Sequence, residues 1–145
     1  MMLTTLYEHD FYGWVNEQAR LLKTRQFQDI DIEHLIEEIE SMGKSEKRQL
    51  KSRLRVLLMH LLKWSFQPSL RSHSWKITMR NQRRDLAEHL LENPSLKNEL
   101  DSVLTSAYAG ALGDAESETG LNESTFPAEC PWTFSQIIDP GYLPD

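Results

Sequence analysis

Apolar residues recur every three or four positions through residue 119 of this 145-residue chain, the spacing of amphipathic helices, and no stretch alternates as a strand would. A first helix is predicted after Asp10, a good N-cap, running to about Thr24 with Phe11, Trp14, Val15, Leu21 and Leu22 as its apolar positions. A second spans about Asp31 to Met42, where Ile32, Leu35, Ile36, Ile39 and Met42 form a stripe and Gly43 follows as its stop. The third starts after Ser45 and reaches about Phe66 on a stripe of Leu50, Leu54, Leu57, Leu58 and Leu61. Gln67 and Pro68 end it, because a residue before proline avoids helical angles. A polar connector leads to a fourth helix from about Ser74 to Glu92, with Trp75, Met79, Leu86 and Leu90 on its apolar face. Asn93 and Pro94 open the fifth as N-cap and first helical residue.

The pattern changes after Gly120. Four of the six prolines lie between 127 and 144, interleaved with Phe126, Trp132, Phe134, Ile137, Ile138 and Tyr142. That is too apolar for a free tail, so residues 121–145 are expected to be an irregular strap packed on the bundle, with one turn of helix after Thr133. The predicted fold is therefore all-α: a bundle of four to five helices closed by a Pro/aromatic-rich C-terminal strap. It forms one domain over residues 1–145, with about residues 1–6 flexible.

Composition adds constraints on setting. Hydrophobic content of 39% suits a globular chain rather than a disordered one. Cys130 is the one cysteine, so no internal disulfide forms, which fits a reducing cytoplasm. The start lacks a basic segment followed by an apolar one, and the longest apolar run, "VLLMHLLKW", is too short to span a bilayer. A soluble cytoplasmic protein is the expectation. The net charge of −6 hides a division: residues 44–84 hold 12 of the 16 Lys and Arg with Glu46 as their one acid. Such a block attracts phosphate or an acidic partner unless it pairs internally. Residues 29–40 offer six acids for internal pairing, and Arg53 and Lys63 are placed to meet Glu38 or Glu40.

Candidate chemistry gathers where polar residues border apolar faces. In "HLLKWSFQP", His60, Lys63 and Gln67 share one flank of the third helix with Arg53 and Val56. Gln82 falls in the middle of the fourth helix's apolar face, beside Thr78 and Arg83, and needs hydrogen-bond partners there. Glu38 and Glu40 edge the second helix's stripe. The candidate cluster is thus Glu38, Glu40, His60, Thr78, Gln82 and Arg83. Its residue types suit acid–base work, but no metal-binding, phosphate-loop or paired-cysteine signature occurs, so no cofactor and no metal are assigned. Candidate partner-binding residues in the basic block are Lys47, Lys51, Arg55, Arg71, Lys76, Arg80 and Arg84.

The ordered strings "DFYGW", "DIEHLIEEIESMGKSEKRQLKSRLRVLLMHLLKW", "SWKITMRNQR", "PSL", "ETGL" and "FPAECPWT" resemble the bacterial family catalogued as domain of unknown function 29, over about residues 7–144. The resemblance implies a compact helical protein and supplies no catalytic residues. Three functions stay open. The leading one is a non-enzymatic interaction or regulatory module whose basic helices meet an acidic protein partner. Nucleic-acid binding through the same 44–84 region is second, and a small hydrolase-like enzyme at the Glu/His/Gln/Arg cluster is third.

Overall fold

A computed structural model describes residues 2–145, with side chains from Leu6 onward. Met1, within the stretch expected to be flexible, lies outside the described residues, whereas the backbone of Met2–His9 forms helix α1. Asp10 ends that turn and caps the next helix, α2 (Phe11–Lys23), its carboxylate accepting from the Gly13 N–H at 3.0 Å. After a 3-10 turn at Phe27–Asp29, helix α3 runs unbroken from Ile32 to Phe66, 35 residues. The two helices expected over 31–42 and 45–66 are therefore one. Gly43 does not stop it: a glycine stop works by adopting positive φ, and among the described residues only Gly120 and Arg25 do so. Gly43 is flanked by good helix formers, so it stays helical at a cost of about 1 kcal/mol.

The chain divides into two compact units, Met1–Ser45 and Glu46–Asp145, the boundary falling within α3. In the first, the polar knot at Asp31 fixes α2 to the start of α3. The Asp31 carboxylate accepts from the Trp14 indole (3.0 Å) and the His34 ring (2.7 Å), while its own backbone N–H donates to Gln18 Oε1 (2.7 Å). Trp14, Gln18 and Leu21 are the buried residues of α2.

The second unit holds the main core. Leu50, Leu54, Leu57, Leu58, Leu61 and Leu62 of α3 are all fully buried. Each contributes roughly 2 kcal/mol of apolar burial. Helix α4 (His73–Glu92), capped by Ser72, adds Met79 and Leu86. A 3-10 segment at Pro94–Glu99 precedes α5 (Leu100–Thr119), so the expected helical start at Pro94 is a tighter turn. Ala107, Ala111 and Ala115 recur every four residues on α5 and are fully buried, which lets neighbouring backbones come close. Gly120 closes α5 in the left-handed region at φ 75°. The following strap is part of the core: Phe126, Trp132 and Ile137 are buried, and Thr133 starts the short helix α6 (Phe134–Ile138) with a capping box. The fold is all-α with bundle packing, and no strand occurs among the described residues.

Candidate functional site

Burial of α3 on nearly every side explains the mixed stretch at residues 60–68. Lys63 is almost wholly buried, its ammonium 3.3 Å from Glu118 and 4.7 Å from the centre of the Trp75 ring. His60 is half-buried and its Nδ1 donates to the Val56 carbonyl at 2.9 Å. Burial pushes this imidazole below its usual range, with the Lys63 charge adding to the effect. Arg83, read as part of the polar cluster, instead clamps the strap: Nε donates to the Ile137 carbonyl at 2.7 Å and Nη2 reaches the Gln136 carbonyl at 3.4 Å. These carbonyls close α6, where a cation is favourable. Thr78 and Gln82 are half-buried, and Gln82 Oε1 has no partner among the described residues.

Glu38 and Glu40 belong to the first unit. Glu38 accepts from the Tyr7 hydroxyl at 2.6 Å, a bond that pushes this phenol up to about 12, and Glu40 is exposed. Arg53 and Lys63 pair with Asp85 and Glu118 rather than with the expected Glu38 or Glu40. His60 and Arg83 are thus held by backbone carbonyls, with the charges of Lys63 and Glu118 also acting on His60. Among the described residues no group of three or more His, Cys, Asp or Glu could hold a metal ion.

Sequence reasoning missed a polar cleft in the second unit of about 490 Å³, bordered by Glu46, Arg53, Asp85, Glu88 and His89. His89 is buried and its Nε2 lies 2.6 Å from Glu46, while Arg53 meets Asp85 at 3.1 Å. The Arg53–Asp85 ion pair and the His89–Glu46 hydrogen bond are both internal, and His89 Nδ1 is buried without a partner among the described residues. The signal was present: His89 falls on the same side of its helix as Gln82 and Leu86.

The basic block divides into tied and free cations. Lys47 pairs with Glu99 at 3.2 Å, and Arg55 forms a two-pronged bond with Asp114 at 2.5 and 2.8 Å. Arg71 donates to the Trp64 carbonyl and its guanidinium stands 5.0 Å from that indole's centre. Lys51 is half-buried. Lys76, Arg80 and Arg84 are exposed and follow one another every four residues, so they form a single row on α4. The Lys76 ammonium stands 5.6 Å from the centre of the Trp64 ring, Arg84 donates to Asn81 at 3.3 Å and approaches Asp85 at 3.9 Å, and Arg80 has no ion pair among the described residues.

The first unit carries a different surface. Phe11, Val15 and Leu22 of α2 and Leu35, Ile39 and Met42 of α3 line an apolar groove of about 320 Å³. All but Leu35 are exposed, so a stripe read from sequence as core faces outward here. No helix among the described residues is long and apolar enough to cross a membrane. Burial pushes the Cys130 thiol up, which leaves little reactive thiolate.

No curated protein and no solved structure matches this chain. A family model does match, across residues 6–143 and hence nearly from end to end, and the chain belongs to that family, described as domain of unknown function DUF29.

Proposed function

We propose that the protein is a non-enzymatic interaction module whose second unit meets an acidic protein surface through the cationic row of α4. The observation that carries this reading is the spacing of Lys76, Arg80 and Arg84, three exposed like charges on one helix face. Like charges four apart weaken a helix by roughly 0.2–0.5 kcal/mol per pair, so a partner of opposite sign gains what the free protein lacks. The tied cations do not compete for this role, because Lys47, Arg53, Arg55 and Lys63 already have carboxylates of their own. A protein partner is favoured over nucleic acid by charge balance: the second unit carries 12 Lys and Arg against 13 Asp and Glu, and phosphate would meet the acids as well.

Photo-crosslinking from residue 80 in the native host tests the reading. The expected products are proteins joined through acidic segments, lost when Lys76→Glu and Arg84→Glu are added. Crosslinks dominated by RNA or DNA would move the function to nucleic-acid binding.

A further inference from the structure

The first unit is unfinished on one side. It buries Trp14 and Leu21 (1% and 3% exposed), yet leaves Phe11, Val15, Leu22, Ile32, Ile36, Ile39 and Met42 between 39% and 67% exposed. These residues are not scattered. On α2 they recur at 11, 15 and 22, and on α3 at 32, 36, 39 and 42, each set forming one stripe, with the apolar groove between the two helices. At about 150 Å² per large side chain, the low end of the aromatic range because six of the seven are aliphatic, and half exposed, the seven present roughly 500 Å². That lies towards the upper end of the ~300–600 Å² of the largest patch on a typical monomer and is over half of the ~800 Å² each partner buries in a stable complex. A small unit with so little core gains most from association.

Three features choose the occupant. Two apolar ridges flanking a groove are complementary to another pair of ridges, whereas a single docked helix would fill the groove and leave the outer isoleucines wet. Ile32 and Ile39 lie seven residues apart, as do Leu35 and Met42, the repeat that packs helices into four-helix bundles. The edges of the face also differ in sign. Helical spacing sets Glu33, Glu37 and Glu40, followed by Lys44, along the outer side of α3, and Lys23 along that of α2, beside an Arg20 already paired with Glu17 at 2.6 Å. Such a face complements itself in one arrangement. Laying α3 on α3 would bring the glutamates of both copies together, while laying α3 on α2 brings opposite signs together.

We infer that the first unit pairs with the same unit of a second copy, α3 of each against α2 of the other, closing a four-helix bundle about a two-fold axis. The residues of this surface belong to the first unit and those of the cationic row to the second, so the pairing stands whether or not that row binds a partner.

Sedimentation equilibrium on the full chain tests the inference. Wild type is expected to be a dimer that dissociates on dilution. Ile39→Glu and Met42→Glu should each raise the dissociation constant about a hundredfold or more, because symmetry counts every substitution twice. Both sites are more than 60% exposed in the protomer, so circular dichroism should stay unchanged and separate lost pairing from lost folding. Leu91→Glu, at an exposed leucine of the second unit, should leave the dimer intact. A wild-type monomer at every concentration reached, or a dimer that survives both substitutions, overturns the proposal. Glu40→Lys decides the arrangement. It should weaken the α3-on-α2 dimer several-fold, and a tighter dimer instead would put α3 on α3 and refute the geometry.

Discussion

Ile137→Ala is the sharpest probe of whether the C-terminal strap is core or cover. Ile137 is fully buried, and its carbonyl holds the Arg83 guanidinium at 2.7 Å. Truncation to alanine removes three carbons, worth about 2.4 kcal/mol at roughly 0.8 kcal/mol per buried methylene. The void adds up to about 1.5 kcal/mol at ~24 cal/mol per Å³, if the surroundings do not collapse. The expected loss is therefore between about 2.5 and 4 kcal/mol, a sizeable part of a stability on the order of 10 kcal/mol. The backbone carbonyl survives the substitution, so the Arg83 clamp stays and the loss reports packing alone. Urea denaturation followed by far-UV circular dichroism would measure it, with the midpoint falling and the slope unchanged. Ile138→Ala, at a half-buried neighbour, should cost clearly less. A loss below about 1 kcal/mol for Ile137→Ala, or equal losses at the two sites, would show that the strap lies loosely on the helices.

Two glycines should respond in opposite directions. Gly43 is exposed within a helix, with open space where a Cβ would go, so Gly43→Ala should stabilise by about 0.5–1 kcal/mol. Gly120 sits at φ 75°, and Gly120→Ala should cost about 1 kcal/mol; thermal melts giving both the same sign would contradict the unbroken α3. The Asp31 knot should make the first unit pH-sensitive at both ends. Burial alone would raise the Asp31 carboxyl, but the bonds from His34 and Trp14 outweigh it and hold it below its usual range, while the same carboxylate holds the His34 imidazole above its own. The Asp31 contribution is complete above the unfolded carboxyl pKa and is lost as pH falls through the depressed folded value. The His34 contribution is complete below the unfolded imidazole pKa and is lost as pH rises through the raised folded value. Amide exchange in α2 should be slowest between those limits, and Asp31→Asn should flatten the profile. An unchanged profile would mean the knot does not couple to folding.

Most of the helical architecture was legible because each buried stripe is written in the spacing of its own residues. The Asp10 and Thr133 caps were readable for the same local reason. What failed depended on partners distant in sequence. Gly43 carried a stop signal, but a stop also needs the chain to turn left-handed, and the residues after it favour continued helix. The stripe Ile32, Ile36, Ile39 and Met42 identified an apolar face and said nothing about what covers it. Arg53 and Lys63 were read as one polar flank, yet Lys63 is almost wholly buried, and their partners Asp85 and Glu118 sit on other helices whose rotation only packing decides. Arg83 was placed beside Gln82 at the border of an apolar face, yet its near-complete burial and its hold on the strap were not readable, because its acceptors are backbone carbonyls and those carry no sequence signal.

The direct test of the interaction reading is equilibrium binding by fluorescence anisotropy at about 0.15 M salt, where surface charges act over only ~8 Å. A labelled glutamate-rich peptide and labelled single- and double-stranded oligonucleotides would be titrated with wild type and with the variant carrying Lys76→Glu, Arg80→Glu and Arg84→Glu. The account predicts that the acidic peptide binds more tightly than either oligonucleotide, and that the triple reversal weakens it at least about tenfold. Submicromolar binding of an oligonucleotide, or peptide binding that the triple reversal leaves unchanged, would contradict it.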